Sequence, residues 1–503
     1  MTDSTVVAID AGTTGVRSMA FDARGTPIAL AYREFPQHFP KPGWVEHDPA
    51  DIWTAVQTTL AEIAPVLSGP VAAIGITNQR ETVVSWDRRT GVVPARAIVW
   101  QDRRTAARCE QLSAEGALRE VRSRTGLVLD PYFSGTKMAW LLTDGAVHPS
   151  PGLTLATVDS WILWNLTGGT DGGLVATDAS NASRTMLYDI RKQSWSPELC
   201  DLLGVPMDVL AEVLPSAGRF GVTTSDCALG AGIPIAGIAG DQQASLFGQA
   251  CLQPGMAKNT YGTGSFVLMN VGEACPDPID GLLTTIAWTV PGSVVGSSAS
   301  SVTHYALEGA IFVTGAAVQW LRDGLGLIAD ASETESLAAS VADSGGVVMV
   351  PAFTGLGAPW WDPHARGTIV GLTRGTTTAH LARAVVDSMA LQTRDVVDAM
   401  ARASGRTLSE LRVDGGASAM GLLLQLQADQ LGIPVRRSAV PETTALGAAF
   451  LAGIAEGVWP DADSVDQAWS SDAMADPSAD RTTADALHRQ WLRGVERSRN
   501  WSD

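Results

Sequence analysis

The 503-residue chain is long enough for two or three domains with well-buried cores. Its 45% hydrophobic content and 51 glycines spread along the chain suit a globular α/β enzyme and exclude a disordered one. A formal charge of −18 argues against both a nucleic-acid backbone and an anionic membrane surface as partner.

The first 35 residues read as a β-meander. Val6–Ile9 is a short apolar strand, Asp10-Ala11-Gly12-Thr13-Thr14-Gly15 a turn, and Arg17–Phe21 a second strand; Asp22–Gly25 then turns into Pro27–Phe35. A helix follows, with Asp48 as its cap, Pro49 at its first position, and Ile52, Val56, Leu60 and Ile63 on one apolar face. Val71–Ile76 is a buried strand that runs into Thr77-Asn78-Gln79-Arg80-Glu81. Near residue 250 a second set begins: Ala257–Tyr261, then Gly262-Thr263-Gly264-Ser265, then Phe266–Met269. Strand, Gly-Thr turn and strand thus occur twice, so the chain is expected to form two related domains, 1–248 and 249–503, facing a shared cleft. No composition shift marks the boundary, so the two are expected to be in intimate contact. Pro291–Thr303 is expected to be an extended hairpin loop. Further helices are expected over Leu381–Ala403, Ala419–Leu431, Thr444–Ile454 and Ala484–Val495, with a strand at Leu411–Asp414 and a loose surface segment over Asp461–Asp480. Alternation of strands and helices places the chain in the α/β class.

The five cysteines (Cys109, Cys200, Cys227, Cys251, Cys275) form no CxxC pair and no metal-ligand spacing, as expected for buried thiols in a reducing compartment. Met1–Ile9 lacks a basic n-region, and no run of about 18 apolar residues occurs. A cytoplasmic location is the expectation.

With no Gly-Lys-Ser/Thr and no GxGxxG, the P-loop and the simplest dinucleotide fingerprint are both ruled out. The Gly-Thr hairpins remain as phosphate sites. Glycines let backbone amides approach, Thr13 and Thr14 add hydroxyls, Arg17 adds charge, and Asp10 could orient hydrated Mg²⁺. A plain hairpin whose aspartate binds its own backbone fits those residues equally well. Asp241, ending the apolar tract Gly237-Ile238-Ala239-Gly240, is placed to take a proton from a hydroxyl, or else to cap a helix. Arg80-Glu81 could grip two hydroxyls of one polyol or form a surface ion pair. Trp100 and Tyr132 suit a core as well as a ligand.

Taken together, these tracts resemble the FGGY carbohydrate kinases from about Val6 to Trp459. The resemblance rests on Phe39 through Pro49, Ile76-Thr77-Asn78-Gln79-Arg80-Glu81-Thr82, Ala97–Gln101, Asp130–Lys137, Asn181–Met186, Gly240-Asp241-Gln242-Gln243, Lys258–Gly264, Phe353–Pro359 and Gly367–Asp387. It implies two ribonuclease-H-like domains of the actin-like ATPase superfamily around a central catalytic cleft, and transfer of the γ-phosphoryl of ATP, with Mg²⁺, to a polyol. The Asn78–Glu81 tract favours glycerol. By matching position, Arg80, Glu81, Tyr132, Asp241 and Gln242 would hold its hydroxyls, while Trp100 and Phe266 cover its carbons. Thr13, Thr14, Arg17, Thr263, Gly315, Gln319, Gly416 and Met420 would line the nucleotide. Asp241 would be the base and Asp10 would lie near the metal. Homodimers or homotetramers are also implied. Departures from the family pattern are Ala11 for glutamine, Met420 for asparagine, and extra residues over Pro291–Thr303. Some members bind fructose bisphosphate through an arginine in a Gly-Gly-Thr-Arg loop, where this chain reads Cys227-Ala228-Leu229-Gly230-Ala231-Gly232.

Overall fold

A computed structural model describes residues 4–478 and 480–502. Met1–Asp3, part of the N-terminal reading above, lie outside the described residues. The first half of the chain builds a six-stranded sheet from β1 (Thr5–Ala11), β2 (Gly15–Phe21), β3 (Pro27–Glu34), β4 (Val71–Asn78), β5 (Ala217–Val222) and β6 (Pro234–Gly240), in the order β5-β6-β4-β1-β2-β3. A seven-stranded sheet follows from β7 (Ala257–Tyr261), β8 (Ser265–Gly272), β9 (Leu283–Pro291), β10 (Ser301–Ile311), β11 (Leu411–Asp414), β12 (Val435–Ser438) and β13 (Ser471–Ala475). Its order is β9-β10-β8-β7-β11-β12-β13.

Within each sheet the same five-strand unit recurs. In β3-β2-β1-β4-β6 the first two pairings are antiparallel and the last two parallel, and β10-β8-β7-β11-β12 repeats that order and those senses. This is the ribonuclease-H-like arrangement of actin-like ATPases. An antiparallel neighbour needs only a hairpin, whereas each parallel step needs a crossover. The meander therefore closes through short turns, and α1 (Pro49–Ile63) carries the chain from β3 to β4. Asp48 caps α1 by accepting from the Ala50 amide at 2.9 Å, and Ile52, Val56, Leu60 and Ile63 are buried, as the spacing predicts. Both Gly-Thr turns are hairpins: the Gly12 amide donates to the Gly15 carbonyl at 3.0 Å and the Gly262 amide to the Gly264 carbonyl at 2.8 Å.

Among the further helices are α2 (Asp241–Gly248), α3 (Thr378–Ser404), α4 (Gly421–Leu431), α5 (Thr443–Ala455), α6 (Ala462–Ala468) and α7 (Arg481–Ser498). Although α5 comes late in the chain, it lies on the first sheet and crosses α2. Bare backbone makes this possible: a Cβ at Gly75 or Gly237 would collide with α5 at Ala448 or Ala452, and one at Gly447 would collide with the Ala244 carbonyl of α2. The two halves thereby share an apolar core that includes Leu246, Phe247, Ala448 and Phe450.

Three expectations need correction. Much of the segment expected to be loose over 461–480 instead forms α6 and the edge strand β13; Ala479 lies outside the described residues. Strand β12 leaves an open edge, and Arg437 locks β13 onto it through Asp472 at 2.8 and 3.0 Å; Asp461 caps α6 by accepting from the Ser464 amide at 2.9 Å. Helix α4 starts at Gly421, not Ala419, because Gly416–Ala419 winds as a tighter 3₁₀ turn first. Cys227 and Cys275 are only half-buried, since both sit in loops; the other three cysteines are buried, and all five are free thiols. The 291–303 stretch is a hairpin connection as expected, with a single turn over Gly292–Val295 between β9 and β10. Among the described residues no helix is long and apolar enough to cross a membrane.

The α2–α5 crossing predicts that Gly447→Val costs at least about 1–3 kcal/mol through overpacking against immovable backbone. Chemical denaturation should show this loss for Gly447→Val and almost none for Gly218→Ala, whose added Cβ meets nothing within 4 Å. Equal stabilities would refute the close crossing.

Candidate active site

A cleft of about 820 Å³ opens between the two sheets. Thr13 and Thr14 of the first hairpin line it, as do Gly262, Thr263 and Gly264 of the second. Trp100, Tyr132, Gln242 and Phe266 form more of its wall. These residues, from both halves of the chain, share one cavity.

Each is delivered by the end of an element. Arg80 and Glu81 follow β4 in a tight turn in which the Thr82 amide donates to the Arg80 carbonyl at 2.8 Å. Glu81 has φ +61°, a left-handed conformation that costs energy in a non-glycine residue and is held by its surroundings. Asp241 is the first residue of α2, directly after β6, with Gly240 in the capping position. The tract therefore ends in a strand-to-helix corner, and Asp241 is inside the helix instead of being its cap. Its Oδ1 accepts from the Gln242 amide at 2.7 Å and lies 3.1 Å from Arg80 Nε, while its side chain stays 32% exposed.

Beneath the cleft floor lies a buried ionic cluster. Arg80 Nη1 donates to Glu308 Oε2 at 2.6 Å and to Gln243 Oε1 at 3.2 Å; Nη2 donates to Glu308 Oε1 at 3.2 Å and to the Tyr132 hydroxyl at 3.1 Å. Arg184 donates from Nε to Glu81 Oε1 at 2.7 Å and from Nη2 to Glu308 Oε1 at 3.0 Å. Its guanidinium lies 5.7 Å from the Tyr132 ring centre and 5.2 Å from that of Phe133. Two arginines and two glutamates thus compensate one another where water is excluded, which is the condition under which buried charges are tolerated.

The same surroundings push two carboxyls in opposite directions. For Glu308, burial acts upward but Arg184 and Arg80 outweigh it, holding the carboxyl down at about 2. For Asp241 burial dominates and raises it, against Arg80, the Gln242 amide and Lys258, with Glu308 adding to the rise. Lys258, whose ammonium donates to Gln242 Oε1 at 2.5 Å and to Thr260 Oγ1 at 2.8 Å, is pushed down to about 8 by burial.

At the first Gly-Thr hairpin Asp10 and Arg17 face each other across β1 and β2, 3.3 Å apart, and Arg17 also reaches Glu442 at 2.7 Å. Burial raises Asp10 to about 7 despite Arg17, and Asp241 and Glu442 add to the rise. Trp100 joins the two regions, its indole donating to Thr13 Oγ1 at 2.9 Å while its ring meets Tyr132 edge-on at 5.6 Å. Among the described residues no group of three or more His, Cys, Asp or Glu could hold a metal ion alone. A hydrated Mg²⁺ carried by phosphates needs only one or two carboxylates, so Asp10 fits that role.

Gly315 opens the short helix Gly315–Gln319, which docks on the second hairpin: its amide donates to the Gly262 carbonyl at 3.0 Å, and that of Ala316 to Thr263 at 3.0 Å. Gln319 is exposed at that helix's end, Gly416 is exposed after β11, and half-buried Met420 caps α4. None of these three lines the 820 Å³ cleft. Arg80 and Glu81 lie beneath the cleft, enclosed by protein partners. Glu308, Arg184, Gln243 and Lys258 received no role from the sequence. The signal available was a lone charge inside an apolar strand, as in Tyr305-Ala306-Leu307-Glu308-Gly309-Ala310.

Comparison with known proteins agrees with this geometry. Residues 5–248 match the N-terminal domain, and residues 257–456 the C-terminal domain, of the FGGY family of carbohydrate kinases. The chain is 52% identical to a glycerol kinase of Carboxydothermus hydrogenoformans, covering 100% of this chain and 99% of that protein. It is 51% identical to glycerol kinase 2 of Thermotoga maritima, covering 99% of each. A crystal structure of Plasmodium falciparum glycerol kinase with ADP superposes with a TM-score of 0.90 at 33% identity, covering 98% of each chain. With both halves of the fold matched, and whole-length relatives above half identity, the chain belongs to the FGGY family of carbohydrate kinases.

Proposed function

We propose that this enzyme transfers the γ-phosphoryl group of ATP to a primary hydroxyl of glycerol, giving sn-glycerol 3-phosphate and ADP in glycerol catabolism. The observation that carries the reading is Asp241: a partly exposed carboxylate, aligned by Arg80, next in the chain to Gln242, which lines a cleft walled by two Gly-Thr hairpins. Glycerol has three hydroxyls and little apolar surface, so its recognition must rest on paired hydrogen bonds. Arg80, Glu81, Tyr132, Asp241 and Gln242 supply donors and acceptors of the right kind, and Trp100 and Phe266 supply flat apolar cover. Both polar contacts of Asp241 fall on Oδ1, which leaves Oδ2 to take the proton of the attacking hydroxyl.

The hairpin amides, with Thr13, Thr14, Arg17 and Thr263, would hold the phosphates, and Gly315, Gln319, Gly416 and Met420 the rest of the nucleotide. Mg²⁺, when bound near Asp10, would neutralise phosphate charge. In this reading residues 1–248 form a polyol- and phosphate-binding domain and 249–503 a nucleotide-binding one. Self-association as a homodimer or homotetramer and a cytoplasmic location, where ATP is available, belong to the same proposal. A coupled assay of ADP release over glycerol, erythritol, dihydroxyacetone, xylulose and ribulose tests it; a preference for any substrate other than glycerol would overturn the substrate.

Three outcomes follow. Asp241→Asn should lower kcat by about 10²–10⁴-fold with a much smaller change in glycerol affinity. The base acts ionised, and its carboxyl is raised, so wild-type kcat should fall with decreasing pH through a value above the ordinary 3.8; a pH–rate profile flat down to pH 4 would contradict this. Tyr132→Phe leaves an Arg80 N–H without its acceptor and should cost about 1–3 kcal/mol in glycerol recognition. That loss should be read as a raised KM for glycerol at unchanged KM for ATP.

The 227–232 turn contains no Arg, Lys or hydroxyl side chain, and Gly230 is tied back by Thr223 Oγ1 donating to its carbonyl at 2.7 Å. Nothing there neutralises a dianionic phosphate. Activity should be insensitive to fructose bisphosphate; saturable inhibition abolished by substitutions in 227–232 would show otherwise.

A further inference from the structure

Glu308 sits in the middle of β10 with its carboxylate fully buried. It binds Arg80 through both oxygens, at 2.6 and 3.2 Å, and Arg184 through one, at 3.0 Å. A two-pronged contact of this kind fixes the plane and the rotation of a guanidinium, which a single contact leaves free. With both terminal nitrogens held, Arg80 Nε comes to 3.1 Å from Asp241 Oδ1 and Nη2 to 3.1 Å from the Tyr132 hydroxyl. Arg80, Tyr132, Asp241 and Arg184 all come from the first half of the chain. Glu308 comes from the second, and among the described residues none of the first half takes its place on Arg80 with two oxygens.

We propose that Glu308 is a positioning residue of the acceptor-hydroxyl site: it clamps Arg80 in the rotation that aligns Asp241 and Tyr132, so that polyol binding depends on a carboxylate delivered by the second sheet. This rests on the proposed function, which puts Asp241 and Tyr132 against the substrate hydroxyls.

The test is steady-state kinetics with both substrates varied, on the full-length wild type, on Glu308→Gln, and on the double variant Glu308→Gln with Arg184→Gln. Glutamine keeps the shape of Glu308 but loses one acceptor and the charge; the double variant removes one buried charge of each sign, so the net charge of the cluster is restored while Arg80 still lacks its clamp. Glu308→Gln should raise KM for glycerol at least about tenfold and leave KM for ATP within about twofold. The double variant should regain thermal stability without regaining glycerol KM, and it provides the kinetic readout if Glu308→Gln alone does not fold. A glycerol KM that stays near wild type in Glu308→Gln, or that recovers together with stability in the double variant, would overturn the proposal and make Glu308 a charge partner for the fold alone. Wild-type activity on glycerol separates this outcome from failure of the proposed function. If wild type prefers another polyol, the same comparison of KM values is made with that polyol.

Discussion

Everything at this site depends on one buried carboxylate compensating two arginines. Arg80 and Arg184 are 2% and 0% exposed, and neither could be kept ionised there without Glu308 and Glu81 beside them. Desolvation acts against every member of the cluster, and only mutual contact offsets it. The contact has two consequences. It joins β10 of the second sheet to the turn after β4 of the first, and it leaves Asp241 as the carboxyl of the group that is neither buried away nor held low. The two guanidinium groups hold Glu308 permanently charged, whereas at Asp241 burial outweighs Arg80 and moves the carboxyl the other way.

The repeated sheet supplies the geometry around this cluster. Each five-strand unit turns its first hairpin toward the other, so the cleft receives a glycine-rich loop from both sides. The helix crossing that joins the halves uses bare backbone at Gly75, Gly237 and Gly447, where side chains would hold the sheets apart. Trp100 then couples the two regions of the cleft directly. Its indole N–H occupies the Thr13 hydroxyl oxygen and its ring meets Tyr132, so ordering of the first Gly-Thr hairpin and ordering of the Tyr132 wall are linked through one side chain.

Much of this was legible in the sequence. The meander, α1 with its Asp48 cap, and β11 followed by a helix were readable because turn residues and apolar periodicity are local signals. The two Gly-Thr turns were readable as a repeat, and the tracts around Arg80, Tyr132 and Asp241 marked residues that do meet in the fold. What misled was composition: Asp461–Asp480 reads as a loose polar stretch, yet an open sheet edge and Arg437 recruit part of it as β13. Glu308 was passed over for a related reason. A single acid among apolar residues carries no local signature of its partners.

By itself, then, the sequence determined the elements, their duplication and the chemistry of the candidate residues, since hairpins, caps and apolar faces are specified within a few residues of one another. Tertiary structure alone decided which charges meet. Arg80 and Glu308 are 228 positions apart and Arg184 and Glu308 124 apart, and whether a carboxyl is held at about 2 or pushed upward depends on burial and on neighbours brought in by the second sheet. Coulombic and desolvation effects act through space, so no spacing along the chain encodes them.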